Sequence, residues 1–231
     1  MDWFPFWNSL RIALICAVIV FFSGIAAAYY IAKLPRLLKG VLDVILTLPL
    51  VLPPTVVGYL LLLVLGPNRG LGKWVYGTFS QKLVMQWWSA IFAVSAVVFP
   101  LMYRTARGAF ESFDETLAQA GRTLGLSNTY IFWRIRMPCC RQGILAGVVL
   151  SFARAMGEFG ATSMVAGYTP GHTATIATEV SQLWRIGSDA LALRWIAVNI
   201  LLSAVVMLAV NLLERRNRGP RRALRGREAH P

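Results

Sequence analysis

The sequence predicts an all-α integral membrane protein with about five transmembrane helices and short helices inserted between the third and fourth. Three observations predict it. Of 231 residues, 57% are hydrophobic and 14% charged, where ordinary soluble domains carry roughly a quarter charged. Five stretches approach the length of about 20 apolar residues that crosses a hydrocarbon core. Between two of them lies the stretch 119–138, too polar and too interrupted by Gly and Pro for lipid.

The five stretches are residues 12–32, 41–65, 83–102, 143–165 and 195–213. Lipid offers the backbone no hydrogen-bond partner, so each must be helical. The third is the least apolar, with Gln86 and Ser89 toward its outer end. Nothing in either half reads as a soluble domain, so one membrane unit over 8–214 is expected, with an insert at about 111–138 and a basic tail over 215–231.

A net charge of +13 raises the question of nucleic acid. Its distribution answers it. With the spans placed as above, sixteen Lys and Arg fall on one side and six on the other. That bias puts the N-terminus outside and the C-terminus in the cytoplasm. The tail Arg215–Arg227 reads as an anchor on anionic membrane lipid rather than a nucleic-acid arm. Residues 1–8 carry Asp2 and no Lys or Arg, which argues against a cleaved signal and for a retained first span. Cys16, Cys139 and Cys140 have no metal-binding spacing, and a vicinal pair facing a reducing compartment makes no structural disulfide.

The insert reads as helix, corner, helix. Ser112 and Glu115 have the spacing of a capping box, and Leu117, Ala120 and Leu124 share one helical face. Gly125 suits a left-handed C-terminal stop. Ser127 suits the cap of a second helix over 128–136, and Pro138 forbids its continuation into the next span. Ile131, Phe132, Trp133 and Ile135 would give this knob an apolar surface for a partner.

Inside the spans, Pro49, Pro53 and Pro54 should kink or break the second helix, lining a pathway or serving packing alone. Arg154 and Glu158, four apart, should share one face of the fourth helix. Ionised groups at that depth face a bundle interior or a water-filled cavity. Mutual pairing and a positive field for a passing anion are both open.

Enzymatic signatures are missing. Gly70-Leu-Gly-Lys-Trp74 lacks the spacing and the hydroxyl of a phosphate-binding loop. His172 and His230 have no catalytic companion, so a membrane enzyme is not expected, and neither is a cofactor or metal.

The insert resembles the EAA loop of ABC-importer permeases. Ala120, Gly125, Ile135 and Pro138 match in register, whereas Gln119, Gly121 and Met137 replace the motif's Glu, second Ala and Leu. Leu48–Tyr59 and Ala153–Ala161 resemble spans of molybdate-importer permeases. The resemblance implies the type I ABC-importer permease fold. It also implies a second copy of the chain, a cytoplasmic ATPase dimer and a periplasmic oxyanion-binding protein as partners. By that likeness Gln119, Ala120, Gly121, Gly125, Ile135 and Pro138 would couple to the ATPase. Molybdate is the favoured cargo, with tungstate and sulfate close behind. A non-transporting scaffold and an ATP-independent channel are the readings from other classes.

Overall fold

The structure, a computed structural model, describes residues 2–218, with side chains described to residue 208. Of the expected basic tail, 219–231 lie outside the described residues. Eleven α-helices and one π-turn make up the fold, and no strand occurs among the described residues. The helices are α1 (Phe4–Ile31), α2 (Arg36–Val51), α3 (Pro54–Leu65), α4 (Gly70–Phe79), α5 (Ser89–Glu111) and α6 (Glu115–Thr123). After them come α7 (Asn128–Ile131), the π-turn Phe132–Arg136, α8 (Met137–Met156), α9 (Gly160–Val165), α10 (Ile176–Arg185) and α11 (Asp189–Arg218).

Helices α1, α5 and α8 form the centre, with α5 packed against both others. Small residues let them approach. A Cβ on Gly24 of α1 would come within 2.8 Å of Met102 Cγ on α5, and one on Gly143 of α8 within 2.7 Å of Ala109 Cβ. In lipid, where apolar burial drives little association, such close van der Waals contact holds helices together. Ile12, Cys16, Val98, Met102 and Ala106 fill the seam.

Helices α1, α5 and the described part of α11 are long and apolar enough to cross a membrane. The expected second span is two helices, α2 and α3, meeting at 113°. The break falls at Leu52 and Pro53. Pro49 leaves α2 unbroken, since the helix runs on to Val51. The expected fourth span is also divided: α8 stops at Met156 and α9 begins at Gly160. Alone, α8 falls short of the apolarity of a lipid-facing span; Arg141, Gln142 and Arg154 lie along it, and it packs inside the bundle.

The connectors over 66–82 and 166–193 carry helices, α4 and α10. Around α10 the chain is buried from Thr173 to Ile176. The cause lies far away in sequence. Asn8 Nδ2 donates to the carbonyls of Thr173 (3.3 Å) and Ala174 (2.9 Å), and the Ile176 amide donates to Ser9 Oγ at 2.9 Å. Thr175 and Thr178 then close a capping box on α10.

Candidate functional site

Two regions hold the residues singled out by sequence. The first is the knob. Asp114, not Ser112, caps α6: its carboxylate accepts from the Thr116 amide at 2.9 Å and the Thr116 hydroxyl at 2.7 Å. Those donors hold the Asp114 carboxyl below its ordinary range. Ser112 instead ends α5. At the corner, Gly125 has φ +75°. Its amide reaches the Arg122 carbonyl (2.9 Å) while the Leu126 amide reaches that of Gly121 (3.1 Å). This paired arrangement satisfies the last carbonyls of α6 and fixes the turn angle. Ser127 caps α7 as expected, accepting from the Tyr130 amide at 3.2 Å.

The second half of the knob departs from expectation. Pro138 does not stop it. The helical path continues from α7 through the π-turn into α8 without an irregular residue. A π-turn shifts the hydrogen-bond register by one residue, and Pro138 then lies in the first turn of α8. A missing amide hydrogen costs little there. The knob is thus joined to α8 by a continuous helical rod.

The knob's inner face is Ala118, Gly121 and Ile131, all buried. A Cβ on Gly121 would sit 3.1 Å from Ile131 Cγ1 and 3.4 Å from Ile135 Cδ1, so the small residue here sets how closely α6 lies on the rod. Ile131 is therefore core, not surface as expected. Leu117, Leu124, Tyr130 and Trp133 face outward, 46%, 78%, 49% and 57% exposed. Gln119, Ala120 and Pro138 are also exposed and Ile135 half-buried. Arg136 ties the rod back to α6 through Glu115 at 2.5 Å and lies over the Phe113 ring.

The second region is where the two broken spans meet. Helix α3 lies along α9. A Cβ on Gly58 would be 2.8 Å from Ala161 Cα, and one on Gly160 would be 3.0 Å from Pro54 Cβ and 3.1 Å from the Thr55 nitrogen. The proline break at 52–53 and the glycine break at 157–159 are thus neighbours, joined where Gly160 meets Pro54 and Thr55. Pro49 lies within α2.

Glu158 is not on the helix that carries Arg154; it lies in the break itself. The ion pair nevertheless forms, with Arg154 Nη1 to Glu158 Oε2 at 2.7 Å. Glu158 Oε1 accepts from the Ala161 amide at 2.9 Å. One carboxylate, 1% exposed, therefore binds the end of α8 to the start of α9. Arg154 keeps 37% of its side chain exposed.

Residues 12–219 match the family described as the binding-protein-dependent transport system inner membrane component. The chain belongs to that family. Among curated relatives of this permease are the molybdenum transport system permease protein ModB of Escherichia coli and that of Haemophilus influenzae. The first is 37% identical over 219 residues, covering 93% of this chain and 96% of the relative. The second is 37% identical over 194 residues, covering 84% and 85%. A sulfate transport system permease protein, CysW of Synechocystis, is 31% identical over 84% of this chain and 70% of its own length. In fold, the permease is similar to a chain of the MetNI methionine ABC transporter in an inward-facing form. That likeness has TM-score 0.70 at 13% identity and covers 92% and 94% of the two chains. It is also similar to a chain of a bacterial alginate ABC transporter, with TM-score 0.72 at 19% identity over 92% and 77%. The type I importer permease fold expected from sequence is the one observed.

Sequence reasoning missed one polar cluster. Arg107 of α5 bridges Asp43 of α2 and Glu111, the latter at 2.9 Å, and Lys39 reaches the same Glu111 oxygen at 2.9 Å. An acid inside the apolar run 41–65 was the available signal.

Proposed function

We propose that this chain is the permease of an ATP-driven importer for a tetrahedral oxyanion, molybdate first among them. It would act as a homodimer with a cytoplasmic ATPase pair and a periplasmic binding protein. The observation that carries the reading is the identity to molybdenum permeases along nearly the whole chain, together with an ABC-importer fold. The sulfate relative, at lower identity, keeps sulfate as the second reading.

The charge bias supports a topology with the knob and the C-terminus in the cytoplasm and the N-terminus outside. There Leu117 and Leu124 offer the ATPase an apolar surface. Gln119 supplies amide hydrogen bonds where an EAA loop has a carboxylate. Closing of the ATPase pair would push on the knob, and the helical rod into α8 would carry that push toward the paired breaks at Pro53–Pro54 and Gly157–Phe159. Those breaks are the natural hinge for alternating access. Glu158 keeps the hinge assembled. The exposed part of Arg154 presents positive charge toward the path. The permease does no bond chemistry; the motor is the partner.

The test is uptake by the reconstituted assembly of permease, ATPase and binding protein. ATP-dependent accumulation of molybdate, outcompeted by tungstate but not by a large excess of sulfate, is the expected result. Uptake without nucleotide would make it a channel. Sulfate accumulation that molybdate fails to compete with would move the chain to the second reading.

A further inference from the structure

A cationic cavity and an apolar groove join where α1 meets the knob. The cavity, about 560 Å³, is lined by Lys33, Lys39, Arg122 and Arg136 against only two carboxylates, Glu111 and Glu115. Glu111 is taken by Lys39 and Arg107, and Glu115 by Arg136. Two cations are left over. Lys33 has no carboxylate partner among the described residues; its ammonium rests 3.7 Å from the centre of the Tyr29 ring. Among the described residues Arg122 holds only the side-chain amide oxygen of Asn128, at 3.2 Å.

The groove, about 460 Å³, shares Tyr29, Lys33 and Asn128 with the cavity. From there it follows one stripe of α1 away from the knob, past Ala26 to Phe22. Those residues recur at three- and four-residue spacing, so they form one continuous face. The ten residues of α1 from Phe22 to its end at Ile31 rise about 14 Å, roughly half the depth of a bilayer core. Trp133 of the knob forms the groove's other wall, and Phe22 and Trp133 are 62% and 57% exposed.

We propose that this composite site holds one anionic phospholipid of the surrounding membrane. Its phosphate sits at Lys33 and Arg122, and one acyl chain lies along Ala26 and Phe22. Two uncompensated cations at a helix end, opening onto an apolar channel that runs down a spanning helix, match that ligand at both ends. Basic pockets between membrane helices on the cytoplasmic side bind such headgroups. The lipid would wedge the knob against α1, so that its headgroup braces the coupling segment. The proposal goes beyond the transport reading and does not depend on which anion is carried.

The test uses the full transporter purified in mild detergent, with phosphatidylglycerol retention read by native mass spectrometry and thermal stability read in nanodiscs. Wild type should retain phosphatidylglycerol and melt higher in phosphatidylglycerol than in phosphatidylcholine discs. Lys33→Glu should lower retention at least about fivefold, the factor equivalent to about 1 kcal/mol per basic side chain at a membrane surface. Lys33→Arg should keep it. Ala26→Trp, which fills the groove and leaves every charge in place, should lose both retention and the difference in melting. Equal retention by wild type and Lys33→Glu overturns the site. So does retention surviving in Ala26→Trp, or full stabilisation by inorganic phosphate alone, because either removes the acyl chain from the account.

Discussion

Gly160 of α9 lies against Pro54 of α3 so closely that a single added methyl group would stand 3.0 Å from the proline Cβ. Two interruptions far apart in sequence are thereby one structural object. Each break frees backbone groups that lipid cannot satisfy, and placing them together lets each cover the other. The acceptor for the Ala161 amide, Glu158 Oε1, belongs to the same object.

Filling that contact should therefore cost more than an ordinary surface change in the membrane. Gly58→Leu would drive its Cβ against the Ala161 backbone, which cannot rotate away. Overpacking of this kind costs about 1–3 kcal/mol. A fall in melting temperature of the purified permease, with loss of uptake, is expected. Gly77→Leu on α4, whose Cβ meets nothing within 4 Å, is the control and should melt like wild type. Equal melting of the two variants would show that α3 and α9 do not touch as described.

The Arg154–Glu158 pair makes an asymmetric prediction. Glu158 serves two donors, Arg154 and the Ala161 amide. Glu158→Gln keeps an acceptor for Ala161 and should be tolerated better than Glu158→Ala, by about 1–3 kcal/mol of stability. The charge-swapped double variant, Arg154→Glu with Glu158→Arg, should not restore uptake or melting, since an arginine at 158 cannot accept a hydrogen bond. Full restoration by the swap would reduce Glu158 to a simple counter-charge.

How much of this was legible in the sequence follows from which signals are local. Gly125 and Ser127 announce the knob because turn and cap chemistry is written in single residues. Pro53 announces its break for the same reason. The matching break at Gly157 was hidden, because the apolar run 143–165 continues through it and hydropathy does not see a helix end. Pro138 misled, because a π-turn upstream changes what a proline costs. Buried Ile131 looks like surface in the sequence because nothing within 128–136 encodes where α6 will lie. The burial of 173–176 depends on Asn8 and Ser9, more than 160 positions away, and no periodicity encodes that.

The corner of the knob should discriminate sharply among side chains. Gly125 sits at φ +75° with open space around its Cβ position, so strain and not clash decides. Asn, which visits the left-handed region, should preserve ATPase co-purification. Val should cost about 1–2 kcal/mol at this residue and weaken co-purification severalfold while membrane insertion stays normal. If Val and Asn behave alike, the geometry of the corner does not matter to docking.

Asp114 gives the knob a pH dependence whose sign is fixed. Its folded carboxyl titrates below the ordinary value of about 3.9. The cap's contribution is then complete above that value and is lost as pH falls through the lowered folded one. Amide exchange at Thr116 should hence be flat from pH 8 to 5, after correction for intrinsic rates, and lose protection only in stronger acid. Asp114→Asn should abolish the acid-dependent part. A transition at neutral pH would point to a different titrating group.

Arg107 makes the last case, because α2 has no buried residue of its own and leans on α5. The guanidinium reaches Asp43 and Glu111 together, while Lys39 closes the ring from α2. A lysine at 107 has one ammonium on a flexible stem and cannot present two donors in a fixed fork. The groups are partly exposed, so the loss is screened to about 1 kcal/mol, about a fivefold rise in local opening. Arg107→Lys should raise hydrogen exchange across α2 by that factor and leave α1 and α8 protected. A rise spread evenly over all three helices would mean that the charge cluster supports the bundle as a whole and does not serve to hold α2.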